Sequence, residues 1–132
     1  MLQFDKTTER FTLNGVAFGP GTRPEEVEGR LPGRGYDVPG PSVFRAFDTR
    51  SGELVVELGF RDGVLESGII YVATPEQGSW EQHDAIEAWR HGRHEVLMRS
   101  LFGASAYASP RLEVRMVREP RELTEEIRFR VL

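Results

Sequence analysis

The residue types best suited to chemistry in this chain lie on one stretch, Ser79 to Phe102, which holds all three histidines, His83, His91 and His94, together with Glu87. At about 100° per residue, a continuous helix brings these side chains within about 80° of one another. His83 and Glu87 are spaced i, i+4, as are Glu87 and His91, while His91 and His94 are i, i+3. Either spacing can give two ligands to one metal ion. His83 and His91 would be about 12 Å apart along the axis, so they cannot share an ion, and a complete site needs a third ligand from another element. The pattern is not HExxH, whose two histidines flank a glutamate base on one turn. A solvated polar face with Glu–His pairs at i, i+4 explains the same residues without a metal. No metal and no cofactor are therefore expected, and a metal or small-ligand site on this helix is the alternative.

Other candidates are sparser. Arg93 projects between Trp89 and Val96–Leu97 on the same wheel. It reads either as an arginine whose stem packs on the core and whose head pairs with a sheet carboxylate such as Glu57 or Glu66, or as a cation poised for an anionic ligand. The segment Pro32 to Pro41, PGRGYDVPGP, reads as a loop without regular structure. Its Arg34, Tyr36 and Asp37, set among glycines, suit contacts with a protein partner. Nucleophilic catalysis has no visible basis: no serine lies in G-x-S-x-G, there is no cysteine, and Glu25-Glu26 and Glu125-Glu126 are sequence neighbours that point to different sides. The chain therefore reads as a non-enzyme.

These residues need elements to hold them. Ile86, Trp89, Val96 and Leu97 span an arc of roughly 100°, with Leu101 just beyond, which predicts a long helix packed by that stripe against a sheet, leaving the histidine side wet. Ser79 with Gln82 has capping-box spacing, and Gly103 is a natural stop. Thr22 with Glu25, followed by Val27 and Leu31, predicts a short helix from Glu25 to Leu31. Asn14-Gly15 and Asp62-Gly63 are hairpin turns. Alternating apolar residues predict strands at Leu2–Phe4, Phe11–Leu13, Val16–Phe18, Val43–Phe47, Glu53–Phe60, Val64–Val72, Leu112–Met116 and Ile127–Val131. On Val64–Val72, the pattern sets Leu65, Ile69 and Tyr71 on one side and Ile70 and Val72 on the other. Ala104 to Pro110 reads as a loop. The expected fold is α+β: an antiparallel sheet of about six or seven strands with one short and one long helix on one face. The opposite face is then either solvated or a binding surface.

The length of 132 residues fits one domain over 1–132. A net charge of −4 argues against nucleic acid as the main partner. The absence of cysteine removes disulfides and lipid attachment at that residue. MLQFDKTTERF has no basic segment leading into an apolar core, and no apolar run approaches the roughly 20 residues that span a bilayer. A cytoplasmic protein with no membrane partner is expected.

The segment FTLNGVAFGPGTRPEEVEGRLP, Phe11 to Pro32, resembles the opening of β-lactamase-inhibitor-like and outer-membrane assembly lipoprotein (BamE-like) domains. Gly21, Thr22, Glu25, Val27 and Leu31 are the matching positions. The resemblance implies a helical layer on an antiparallel sheet and a non-catalytic role in binding proteins. The long helix between strands, and the lack of cysteine, depart from those families. In size, acidity and α+β pattern the chain is also similar to small bacterial immunity proteins. The expected function is thus a non-enzymatic protein-binding domain of the immunity or inhibitor type, acting through the uncovered sheet face, the Pro32–Pro41 segment and Arg93. A homo-oligomeric structural domain is the third alternative.

Overall fold

A computed structural model describes residues 2–31, 33–36, 42–47, 54–73, 80–118 and 124–132, with backbone alone at 33–36, 42–47 and 80–81. Strands β1 (Gln3–Asp5), β2 (Arg10–Leu13) and β3 (Val16–Phe18) form a small antiparallel sheet. Then follow β4 (Gly33–Tyr36), β5 (Ser42–Phe47), β6 (Leu54–Arg61), β7 (Val64–Val72), the helix α1 (Trp80–Phe102), β8 (Ala106–Ala108), β9 (Leu112–Arg118) and β10 (Glu125–Val131). The second sheet has seven strands in the order β4-β5-β6-β7-β10-β9-β8, all paired antiparallel. It is two meanders, β4–β7 and β8–β10, joined by the helix. The α+β class is as expected, with the first strands split off as a sheet of their own.

Local chemistry accounts for most of these elements. Asn14-Gly15 and Asp62-Gly63 all take positive φ, from 50° to 79°, as two-residue hairpin turns require. The helix stops at Phe102, where the Gly103 N–H donates to the Arg99 carbonyl (2.8 Å) and the Lys6 ammonium donates to the Phe102 carbonyl (2.9 Å). A cation there complements the negative end of the helix. Ser79, its expected cap, lies outside the described residues.

Several details differ from expectation. The short helix shrinks to a 3-10 turn, Pro24–Glu26, begun by the Arg23 N–H donating to Glu26 Oε2 (2.6 Å). Thr22 is buried instead, its hydroxyl accepting the Gly19 N–H at 2.8 Å. Gly33–Tyr36 is an edge strand rather than loop, and Ala106–Ala108 forms the other edge. A bulge between Gly59 and Phe60 sets Phe60 opposite Leu65 but Gly59 opposite Ser67. The extra residue flips the alternation, so Leu65 joins Ile70 and Val72 in the core while Ile69 and Tyr71 stay on the other face.

One core lies between the layers. Leu54, Val56, Leu58 and Phe60 of β6, Ile70 and Val72 of β7, Leu112 and Val114 of β9, and Ile127 and Phe129 of β10 meet Met98, Leu101 and Phe102 of the helix. The small sheet covers the rest of that face with aromatic rings. Phe11 lies 5.2 Å from Phe129, and Phe4 lies 4.7 Å from Phe102, edge to face, a favoured arrangement for ring quadrupoles. Gly68 permits this packing, because a Cβ there would sit 2.1 Å from the tip of the Phe129 ring. Among the described residues no helix is long and apolar enough to cross a membrane.

Candidate functional site

The helix is rotated from the expected stripe, of which Leu101 is buried and Leu97 packs partly against the core. His94 is 0% exposed and Arg90 is buried, whereas Trp89 is 44% and Val96 69% exposed. The seam runs through Glu87, Arg90, His94, Met98 and Leu101 at spacings of three and four. Its C-terminal half meets the apolar core. Its N-terminal half meets strand ends, where backbone polar groups have to be satisfied.

Those groups explain the polar residues. His94 Nε2 accepts the Val72 N–H at 3.0 Å, and Arg90 Nε donates to the Val72 carbonyl at 3.0 Å. Continuing the register from the pair Ile127–Ile70 sets Glu125 opposite Val72. At this position helix side chains replace the ladder. Glu125 joins the clasp in turn: its N–H donates to Glu87 Oε1 at 3.0 Å, and its Oε1 accepts from His94 Nδ1 at 2.9 Å. Glu87 Oε2 accepts from Arg90 Nη1. His91 donates from Nδ1 to Glu125 and from Nε2 to Glu95, the latter at 2.8 Å.

The two imidazoles are shifted in opposite directions. Burial lowers the His94 pKa, outweighing the hydrogen bond and charge of Glu125, so its contact with Glu125 joins a neutral imidazole to a carboxylate. Its tautomer follows: the proton is on Nδ1, because Nε2 accepts from Val72. The hydrogen bond to Glu125 raises the His91 pKa against a smaller desolvation effect, with Glu95 adding to the rise.

A cleft of about 360 Å³ opens beside the clasp, lined by Asp84, Glu87, Ala88, His91, Arg118 and Glu125. Its Glu87, His91 and Glu125 are already bonded to one another or to the helix. Among the described residues no group of three His, Asp or Glu side chains could hold a metal ion. The arrangement ties helix to sheet. It does not gather His83, Glu87, His91 and His94 into one ligand set.

Arg93 is exposed, with its guanidinium carbon 5.5 Å from the Trp89 ring centroid, in cation–π range. It does not lie between helix and sheet. Arg34 and Tyr36 are on edge strand β4, and Asp37 lies outside the described residues.

The seven-stranded sheet has a second face with no layer on it among the described residues. Here Arg128 of β10 stands directly opposite Arg115 of β9 and Ile69 of β7, and Arg130 stands opposite Glu113 and Ser67. These residues line a shallow groove of about 360 Å³. Arg128 donates through Nε (2.8 Å) and Nη2 to one oxygen of Glu126. Arg115 is 66% exposed, and its Nε lies 3.6 Å from Glu113, too far for a hydrogen bond. The face carries exposed guanidinium groups beside Ile69, Tyr71 and Val117, a composition suited to protein contacts. Sequence alternation pointed to this face, but the opposition of Arg115 and Arg128 depends on register, which a single strand does not encode.

The chain matches no protein-family model and no curated protein. The resemblance of Phe11 to Pro32 to BamE-like and inhibitor-like domains has no counterpart in these findings. Among solved structures, the chain is similar in fold to a chain of "Rhs1-CT in complex with cognate immunity protein RhsI1", with a TM-score of 0.64 and 15% identity over 99% of this chain and 87% of that one.

Proposed function

We propose that this chain is a non-enzymatic, cytoplasmic protein of the bacterial immunity or inhibitor type, which acts by binding a partner protein. The observation that carries it is the likeness in fold, along 99% of the chain, to a chain from a complex between Rhs1-CT and its cognate immunity protein. The molecule's own chemistry supports it. The titratable cluster on the helix is spent on holding helix to strand, and among the described residues no layer packs on the guanidinium-rich sheet face. That face is the contact surface in this proposal, with Arg34 and Tyr36 of β4 and Asp37, next in sequence, as further contacts; Arg93, stacked on Trp89 on the outer side of the helix, is not part of it.

The test is capture followed by reconstitution. The tagged chain is used to recover a partner from native cells, and that partner is purified and recombined with the chain. A stoichiometric complex in which the partner's toxicity or activity is blocked is expected. Recovery of no partner, or a complex that leaves the partner's activity unchanged, contradicts the proposal.

A further inference from the structure

Strand β8 forms one edge of the seven-stranded sheet and pairs with β9 alone. In an antiparallel ladder the N–H and C=O of one residue point the same way, and successive residues alternate. The Ser109 N–H donates to the Leu112 carbonyl at 2.8 Å, so Ser109 faces β9. Two residues back, Tyr107 faces Val114 in the same sense. Ala106 and Ala108 therefore turn their N–H and C=O outward, away from the sheet. The same alternation carried across the sheet turns the backbone groups of Val72 and Glu125 toward each other, where helix side chains bond them. At Ala106 and Ala108 nothing plays that part among the described residues, and both are exposed.

Proteins blunt such edges with charged residues, proline, a bulge or a very short strand. Of these β8 has only its shortness, since it reads Ala-Tyr-Ala. It is nevertheless held firmly from the helix side. The Tyr107 ring lies 5.1 Å from Phe102 and 5.2 Å from Phe4, and its hydroxyl donates to Glu9 Oε2 at 3.3 Å. The Ser109 hydroxyl donates to the same oxygen. Glu9 is itself held at φ 56°, a conformation uncommon outside glycine that surrounding contacts have to maintain. The strand is thus fixed in extended form while its outer edge stays open.

We propose that β8 is a docking edge for the partner protein, which adds an extended segment antiparallel to Ala106–Ala108. This deepens the protein-binding reading and rests on it. The two alanines supply two donors and two acceptors to the incoming strand. Partner residues opposite Ala106 and Ala108 point to the sheet face away from the helix, where the two methyl groups leave room for large side chains. That face is the proposed contact surface, and Ala106 stands directly opposite Arg115 on it, so edge and face are continuous. A second copy of the chain is a poorer occupant. Two β8 edges meeting would join three residues from each copy, far short of the roughly 1,000 Å² of a stable interface. A partner that covers face and edge together reaches that size.

The test compares amide exchange in the chain alone with exchange in its complex with the protein it recovers from native cells. In the free chain the Ala106 and Ala108 amides are expected to exchange nearly as fast as in unfolded peptide, and in the complex at least about tenfold more slowly. Ala108→Pro removes one outward donor and leaves the ladder to β9 intact, since edge strands tolerate proline where the N–H faces solvent. It is expected to keep Tm within about 5 °C of the parent and to weaken the complex at least about tenfold. Ala106→Pro repeats the measurement at the other outward position. Amides at 106 and 108 that exchange equally fast free and bound overturn the inference, as does a proline variant that keeps its fold and binds like the parent. Either result leaves the protein-binding reading standing, because the complex still forms. Protection of these amides in the chain alone, rising with its concentration, assigns the edge to a second copy and also overturns the inference. Recovery of no partner overturns the protein-binding reading and this inference together.

Discussion

His94 is fully buried. Both ring nitrogens have assigned partners, one a backbone donor and the other a carboxylate. His94→Leu leaves the Val72 N–H and the Glu125 carboxylate without that partner in a buried setting, and is expected to cost about 3 kcal/mol, read by urea unfolding. The pH response separates the two histidines. The His94 pKa lies below 6.5 in the folded chain, so the unfolded chain takes up a proton that the folded one refuses. Stability contributed by His94 is therefore present above 6.5 and lost as pH falls below it. The His91 pKa lies above 6.5, so its contribution is full below that value and is lost as pH rises through the folded pKa. In His91→Gln the decline on the alkaline side of 6.5 is expected to vanish while the acid-side decline persists; urea midpoints across that range report both. Two glycines give opposite expectations. Gly68→Ala drives a methyl into the Phe129 ring and is expected to cost about 1–3 kcal/mol or more. Gly92→Ala meets no atom within 4 Å and is expected to gain up to about 1 kcal/mol in thermal unfolding.

At the scale of elements, the sequence shows where the helix lies better than which way it faces. Its length and its end at Gly103 follow from hydropathy and stop signals. Its rotation does not, because the wheel ranks residues by hydropathy and half of the buried seam is polar. Trp89 and Val96 look like core residues, yet both are exposed. His94 and Arg90 look like surface residues, yet both bond the end of β7. A signal was present: Arg90, His94 and Met98 form an unbroken i, i+4 row that leads into Leu101 and Phe102. Its value becomes plain only once a strand end needing a donor and an acceptor lies beneath it. Trp89→Ala is therefore expected to cost less than about 1 kcal/mol, whereas Met98→Ala is expected to cost about 2–5 kcal/mol; paired thermal or urea melts check the order. The strands were more legible, since period-two alternation marks them directly. The bulge at Gly59/Phe60, which moves Leu65 inward, and the edge strands Gly33–Tyr36 and Ala106–Ala108 were not. Short glycine- and alanine-rich edges carry too few branched residues to stand out from loops.

For the whole molecule, the layer arrangement sets the functional account. The helix and the small sheet share one face of the seven-stranded sheet, and the other face carries Ile69, Tyr71, Val117, Arg115 and Arg128. The most direct measurement is hydroxyl-radical footprinting of the chain alone and in complex with its captured partner. Tyr71, on the face that carries no layer among the described residues, and Trp89, on the outer side of the helix, are both reactive reporters. Binding through the sheet protects Tyr71, Ile69 and Val117 and leaves Trp89 unchanged. Protection of Trp89 with Tyr71 as reactive as in the free chain would contradict the account.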